Sequence, residues 1–179
     1  MMTRSRVFST ISAVLIIGIL SISGAYAYDL QHLLKLKAQN KCVNCDLSNA
    51  NLSNTTLNGA TLNGANLRGA NLAGSFLKDA MLSKASLDGA SLYQATLNGA
   101  LLPDADLTGT NCRQASFATA TLSGVKFVAA DLTDADLHEA NLRGANLTGA
   151  NLTNANLSKA TWTDGSECKD GSKGECKKK

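Results

Sequence analysis

Five cysteines, two histidines and one cluster of acids are the residues of this 179-residue chain whose types suit chemistry beyond packing. Cys42-Val43-Asn44-Cys45 has CxxC spacing, which serves a redox dithiol, half of a metal site or a short structural bridge. A redox CxxC needs a thioredoxin-like βαβ setting, and the surrounding pattern offers none. A metal site needs two further ligands nearby, and the other close pair, Cys168 and Cys176, lies at the far end of the chain. Three readings of Cys42 and Cys45 therefore stay open: a structural disulfide, which suits an exported chain, a pair of reduced thiols, and a metal or redox centre. His32 and His138 lie far apart, and no Ser/His/Asp or Cys/His set can be assembled around either. Glycines occur singly at regular intervals, so there is no phosphate-cradling loop. Asp131, Asp134, Asp136 and Glu139 can weakly attract a cation or simply form a solvated acidic patch. The expectation is a non-enzyme with no catalytic residue, no cofactor and no metal.

What must position these residues is a five-residue repeat that holds one frame from Cys45 to about Asp164. Each unit reads small, polar, Leu, then two turn residues, as in Ala140-Asn141-Leu142-Arg143-Gly144. Centres fall at 47, 52, 57 and onward to 162, making 24 units. Leu fills 20 of them, and the others are Cys112, Phe117, Phe127 and Trp162, all apolar. The place two before the centre is Ala in 19 units and otherwise Cys45, Thr55, Ser75, Thr110 or Val125. Gly closes ten units, with Asn and Asp frequent elsewhere; these tolerate the positive φ of a tight turn. A period of five matches neither an amphipathic helix nor an alternating strand. Fixed self-similarity at a short period means a solenoid. The large residue must fill its interior, and the small one must sit where the backbone turns inward. Cys112 replaces a core Leu and reads as an inert buried thiol.

This pattern resembles the pentapeptide-repeat family, whose consensus is A(N/D)LXX. The resemblance implies an all-β solenoid, a right-handed quadrilateral β-helix of about six coils. Four units then make one coil, so residues 20 apart stack. Arg68 with Asp88, Lys84 with Asp104, Asp106 with Lys126 and Glu139 with Lys159 are pairs of opposite sign at that spacing. Opposite charges on neighbouring rungs attract. At roughly 4.8 Å per rung the rod is about 29 Å long.

Four segments follow. Residues 1–27 read as a signal peptide: Arg4 and Arg6, an apolar stretch from Val7 to Ile22, then Ala25-Tyr26-Ala27 ahead of a cut before Tyr28. Residues 28–44 read as an N-terminal cap helix with the CxxC lead-in. Asp29 is its N-cap, Asn40 its stop, and Leu30, Leu33 and Leu34 form the face laid over the first coil. A helix followed by CxxC and DLSxANL is similar to the start of many bacterial family members. Residues 45–164 are the β-helix, and 165–179 a capping loop with a Lys-rich tail. That tail resembles one seen in secreted bacterial members, with a W-x-D-G…C…G-S-x-G-x-C pattern. The resemblance implies that Trp162 closes the last coil and that a Cys168–Cys176 bridge ties the tail across it.

Few apolar residues point outward. Met81 and Leu101 stack, Phe76 lies one unit earlier, and Tyr93 with Arg113 suits a cation–π pair. Phe76, Met81, Tyr93 and Leu101 thus form a candidate binding patch. The functional expectation is an exported, non-catalytic structural or interaction protein that binds another macromolecule, a protein rather than a nucleic acid, through its faces. No membrane span remains after signal cleavage. The compartment is a periplasm or the exterior, or a thylakoid lumen if the source is cyanobacterial; oligomeric state is not readable. The alternative is a DNA mimic, since some family members bind DNA gyrase. That reading needs a strongly acidic surface, whereas residues 45–163 carry nine acids against seven bases, and the formal charge of +3 falls only to +1 without Arg4 and Arg6.

Overall fold

A computed structural model describes residues 28–179. The signal-peptide expectation for residues 1–27 lies outside the described residues.

Parallel β-bridges join residues 20 apart along the whole repeat, from Lys41↔Thr61 through Met81↔Leu101 to Asn141↔Thr161. Four units therefore complete one coil. The backbone ladder repeats with the same period. The Leu47 N–H donates to the Asn66 carbonyl at 2.8 Å, and the Asn66 N–H donates down to the Cys45 carbonyl at 2.8 Å. Each side of a coil is thus one short parallel rung, and the solenoid starts one unit before Cys45, at Lys41.

The centres fill the interior. Leucines such as Leu62, Leu87 and Leu107 are wholly buried, as are the small residues Ala60, Ala100 and Ala140. Burying one such Leu contributes roughly 1.5–3 kcal/mol. The Phe117 and Phe127 rings meet edge to face, with centroids 6.0 Å apart, and the small Cys112 side chain is a centre in the same turn of the rod. Where a hydroxyl replaces the inward Ala, it is satisfied. Ser75 Oγ donates to the Leu72 carbonyl at 2.6 Å, and Thr110 Oγ1 to the Leu87 carbonyl at 3.0 Å.

The polar place has a specific task. Its Asn or Asp side chain accepts a hydrogen bond from the backbone N–H two residues on, as in Asn141 Oδ1 with Arg143 N at 3.1 Å and Asp131 Oδ1 with Thr133 N at 3.0 Å. This turn motif explains why short carbonyl-bearing side chains recur there. The last place is left-handed in every unit up to Lys159. At Gly64 φ is +65°, which favours glycine, and a Cβ there would make the Asn44 side chain one coil below turn aside. Thr119 occupies the same kind of corner at φ 60° despite its branched side chain.

Both ends carry caps. Helix α1 spans Leu30–Gln39; Asp29 accepts from the Gln31 N–H at its start, and Asn40 closes it at φ 53°. Its buried residues are Leu33 and Leu36, while Leu30 and Leu34 are about half exposed. This corrects the expected Leu30, Leu33 and Leu34 face. The Asp29 N–H bonds the Asp46 carbonyl at 3.2 Å and His32 Nδ1 accepts from the Asp46 N–H at 3.1 Å. Those two anchors turn the 29/32/33/36 side of α1 downward and leave Leu30 and Leu34 outside. At the other end the tail folds back as an antiparallel layer, with bridges Asn156↔Lys173 and Thr161↔Glu167.

Candidate interaction surfaces

Cys42 and Cys45 stand at disulfide distance, with Sγ atoms 2.05 Å apart and both residues buried. Cys42 is the first inward centre and Cys45 the first small inward residue, so the bridge is part of the core. The Cys42 Sγ rests 3.2 Å from the His32 carbonyl of α1. Cys168 and Cys176 form a second pair at 1.99 Å. Cys168 is buried and Cys176 only partly so. Cys112 is the free cysteine and is buried. Burial first, then the nearby Asp131 charge, pushes its thiol well above the usual range, which keeps it from being a nucleophile.

Three of the four acids expected to cluster, Asp131, Asp136 and Glu139, are instead engaged one by one. Asp131 Oδ2 takes Arg113 Nη1 at 3.3 Å, and the Thr133 hydroxyl foremost holds its carboxyl below the ordinary value. Asp136 Oδ1 accepts from Asn156 Nδ2 at 2.9 Å. Glu139 lies 3.4 Å from His138 and 3.8 Å from Lys159. No group of three potential metal ligands occurs among the described residues.

Three of the four expected rung pairs close: Arg68–Asp88 at 3.0 Å, Lys126–Asp106 at 3.3 Å and Lys159–Glu139 at 3.8 Å. Lys84 and Asp104 do not make an ion pair among the described residues, because the Asp104 carboxylate turns up over Gly124, away from the coil below. Arg113 likewise leaves Tyr93 and reaches up to Asp131, so the expected cation–π pair is replaced by an ion pair.

Phe76, Tyr93 and Leu101 are exposed and Met81 is partly buried. The register sorts them onto separate places. Met81 and Leu101 are bridge partners in one column, Phe76 belongs to the column of Thr56 and Thr96, and Tyr93 lies at a turn between sides. They form a short apolar band around the N-terminal half rather than one flat face. A feature the sequence did not signal is a notch of about 310 Å³ between α1 and the first coil, lined by residues including Leu36, Lys37, Leu52 and Leu57. It exists because the ten-residue helix covers only part of the coil end.

The Pentapeptide repeats family model matches in eight copies, over residues 45–83, 62–99, 85–124, 100–138 and 130–161. No curated protein matches the chain. Among solved structures, the pentapeptide repeat protein Rfr23 from the cyanobacterium Cyanothece 51142 shares 29% identity over 74% of this chain and 90% of its own, with a TM-score of 0.56. QnrB1, a plasmid-mediated fluoroquinolone resistance protein, shares 26% identity over 68% of this chain and 62% of its own, at a TM-score of 0.34. The pentapeptide repeat protein AT2G44920 from the Arabidopsis thaliana thylakoid lumen shares 24% over 70% of this chain and 86% of its own, at 0.29. Neither of the last two superposes closely.

Proposed function

Because the chain belongs to the pentapeptide-repeat family, we propose that it is an exported, non-catalytic rod, a right-handed four-sided β-helix, that binds another protein through its sides. The observation that carries this reading is the band of Phe76, Met81 and Leu101 presented on a closely packed scaffold whose core takes no part in it. Rungs hydrogen-bonded above and below hold such side chains in fixed places, which favours recognition over rearrangement. Of the nine acids in residues 45–163, Asp88, Asp106, Asp131 and Glu139 each pair with a base on a neighbouring coil, and nine acids against seven bases do not suit imitation of a uniformly acidic duplex. Two disulfides support an oxidising compartment.

The test is the intact mass of the native protein after cell fractionation, with free thiols blocked at lysis. A chain beginning at Tyr28, with two bridges and one blocked thiol, supports export; partners are then sought by cross-linking in that compartment, with Phe76→Ser/Leu101→Ser as the variant expected to lose them. A full-length, fully reduced chain in the cytoplasm, coupled with inhibition of DNA gyrase supercoiling, overturns the reading in favour of the DNA mimic.

A further inference from the structure

One side of the rod is free of charge through its middle coils. Its bridge column runs Thr61, Met81, Leu101, Thr121, and the second outward column beside it, from Asn63 through Pro103 to Ser123, is uncharged as well. The other three sides carry charges within the same coils: Asp88 and Asp106 on one, Arg113 and Asp131 on the next, Lys78 and Asp136 on the last. Protein interfaces are depleted of charge at their centre and keep it at the rim. Here the rim is a corner of the coil where Lys84 and Asp104 stand one coil apart. Both are exposed, and neither closes an ion pair among the described residues.

This side is complementary to itself. A two-fold axis along the strand direction, between the Met81 and Leu101 rungs, lays the same side of an antiparallel second copy against the first. It keeps each place along the rung and reverses the order of the coils. Met81 then meets Leu101 of the other copy, Thr61 meets Thr121 and Ser83 meets Pro103. At the corner Lys84 meets Asp104, twice. The rungs of this side run from Lys41 to Asn141, so the same axis bisects the whole side: Lys41 falls opposite Asn141, and every rung is covered. No two like charges are opposed. Copies set parallel would place Asp104 against Gly99 at the opposite corner and leave it without a partner. A side of this kind measures roughly 10 Å by 29 Å, so two copies cover about 600 Å² of flat surface. That is the low end for specific contacts, and the pair is weak and concentration-dependent.

We propose, resting on the protein-binding reading of Met81 and Leu101 given above, that this side takes a second copy of the chain, antiparallel, with Lys84 of each against Asp104 of the other.

The test is sedimentation equilibrium of residues 28–179, both bridges intact, over a wide range of concentrations. The parent should show a monomer–dimer equilibrium. Lys84→Glu and Asp104→Lys should each weaken it by about tenfold or more, since like charges then oppose each other twice. Mixing these two single variants should restore association, because the charges of one complement those of the other. Only contact between copies can give that rescue. Leu101→Asp should abolish pairing, and Phe76→Ser, one side away, should leave it unchanged. Far-ultraviolet spectra matching the parent establish that each variant is folded. A parent that stays monomeric throughout overturns the second-copy contact; cross-linking with Phe76→Ser/Leu101→Ser then decides separately whether the protein-binding reading survives. Dimers untouched by the two charge variants, or a mixture that fails to associate, overturn the antiparallel register. Pairing lost in Phe76→Ser but kept in Leu101→Asp overturns the choice of side.

Discussion

Leu107 is the position at which the stacked-interior argument is most exposed to test. Its side chain is wholly buried, and the 20-residue register places it between Leu87 below and Phe127 above. Its N–H donates to the Lys126 carbonyl at 2.8 Å, so the backbone around it is held from the coil above. Leu107→Ala removes buried methyl groups from a site that cannot collapse without shifting two coils, a loss of roughly 2–5 kcal/mol. Leu107→Asp adds desolvation of a carboxylate with no partner in the column, several kcal/mol more. Against a typical total stability of about 5–15 kcal/mol, the Asp variant should be unfolded at room temperature. Leu101→Asp is the control. Leu101 is 44% exposed on the outside of its rung, where a substitution typically stays within about 0.5 kcal/mol. Thermal unfolding followed by circular dichroism should show Leu101→Asp within about 2 °C of the parent and Leu107→Ala about 4–20 °C below it. A Leu107→Asp protein that melts with the parent refutes the inward assignment and the register on which it rests.

Other consequences are smaller and separable. Thr119→Gly should stabilise by about 0.5–1 kcal/mol, the difference between the left-handed penalty of a branched residue and the chain entropy of glycine; urea denaturation measures it. Gly64→Ala should destabilise by about 1 kcal/mol from its positive φ, and a double-mutant cycle with Asn44→Ala should show little coupling, because the Asn44 side chain can turn aside. The carboxyls of Asp46 and Asp131 are held below the ordinary range, foremost by the hydroxyls of Ser48 and Thr133. A lowered folded value means stability that is complete above the unfolded value of about 4 and is lost as pH falls through the folded one. Melting temperature should therefore hold from neutral pH to about 5 and decline below about 4, with a shallower decline in Asp131→Asn, which keeps the turn acceptor.

The repeat was legible because the five-residue period separates large, small and polar places without a break, so Leu62 and Ala60 could be assigned to the interior from type alone. The second task of the polar place was not legible. That Asn141 or Asp131 caps its own turn depends on a backbone bend that the letters do not display. The face of α1 was misjudged for a related reason. Leu30 and Leu34 are as apolar as Leu33 and Leu36, and what decides between them is the docking of Asp29 and His32 on Asp46. Arg113 and Asp104 escaped because each had a partner or neighbour above as well as below, at Asp131 and Gly124. Phe76, Met81 and Leu101 could be singled out as outward, but their distribution over different columns follows only from counting the register around the rod.

The 20-residue register also constrains how such a chain can change length. Adding a whole coil of four units lengthens the rod and leaves α1 and the tail at the same relative orientation. Adding one unit keeps every Leu inside and every corner left-handed, yet turns the tail by a quarter turn relative to α1 and slides each column onto its neighbour. Pairs such as Arg68 and Asp88 survive only if the extra unit falls outside them. The number of units, taken modulo four, is thus an angular setting: it fixes the azimuth at which the C-terminal tail faces relative to the helix at the other end, independently of anything the core requires.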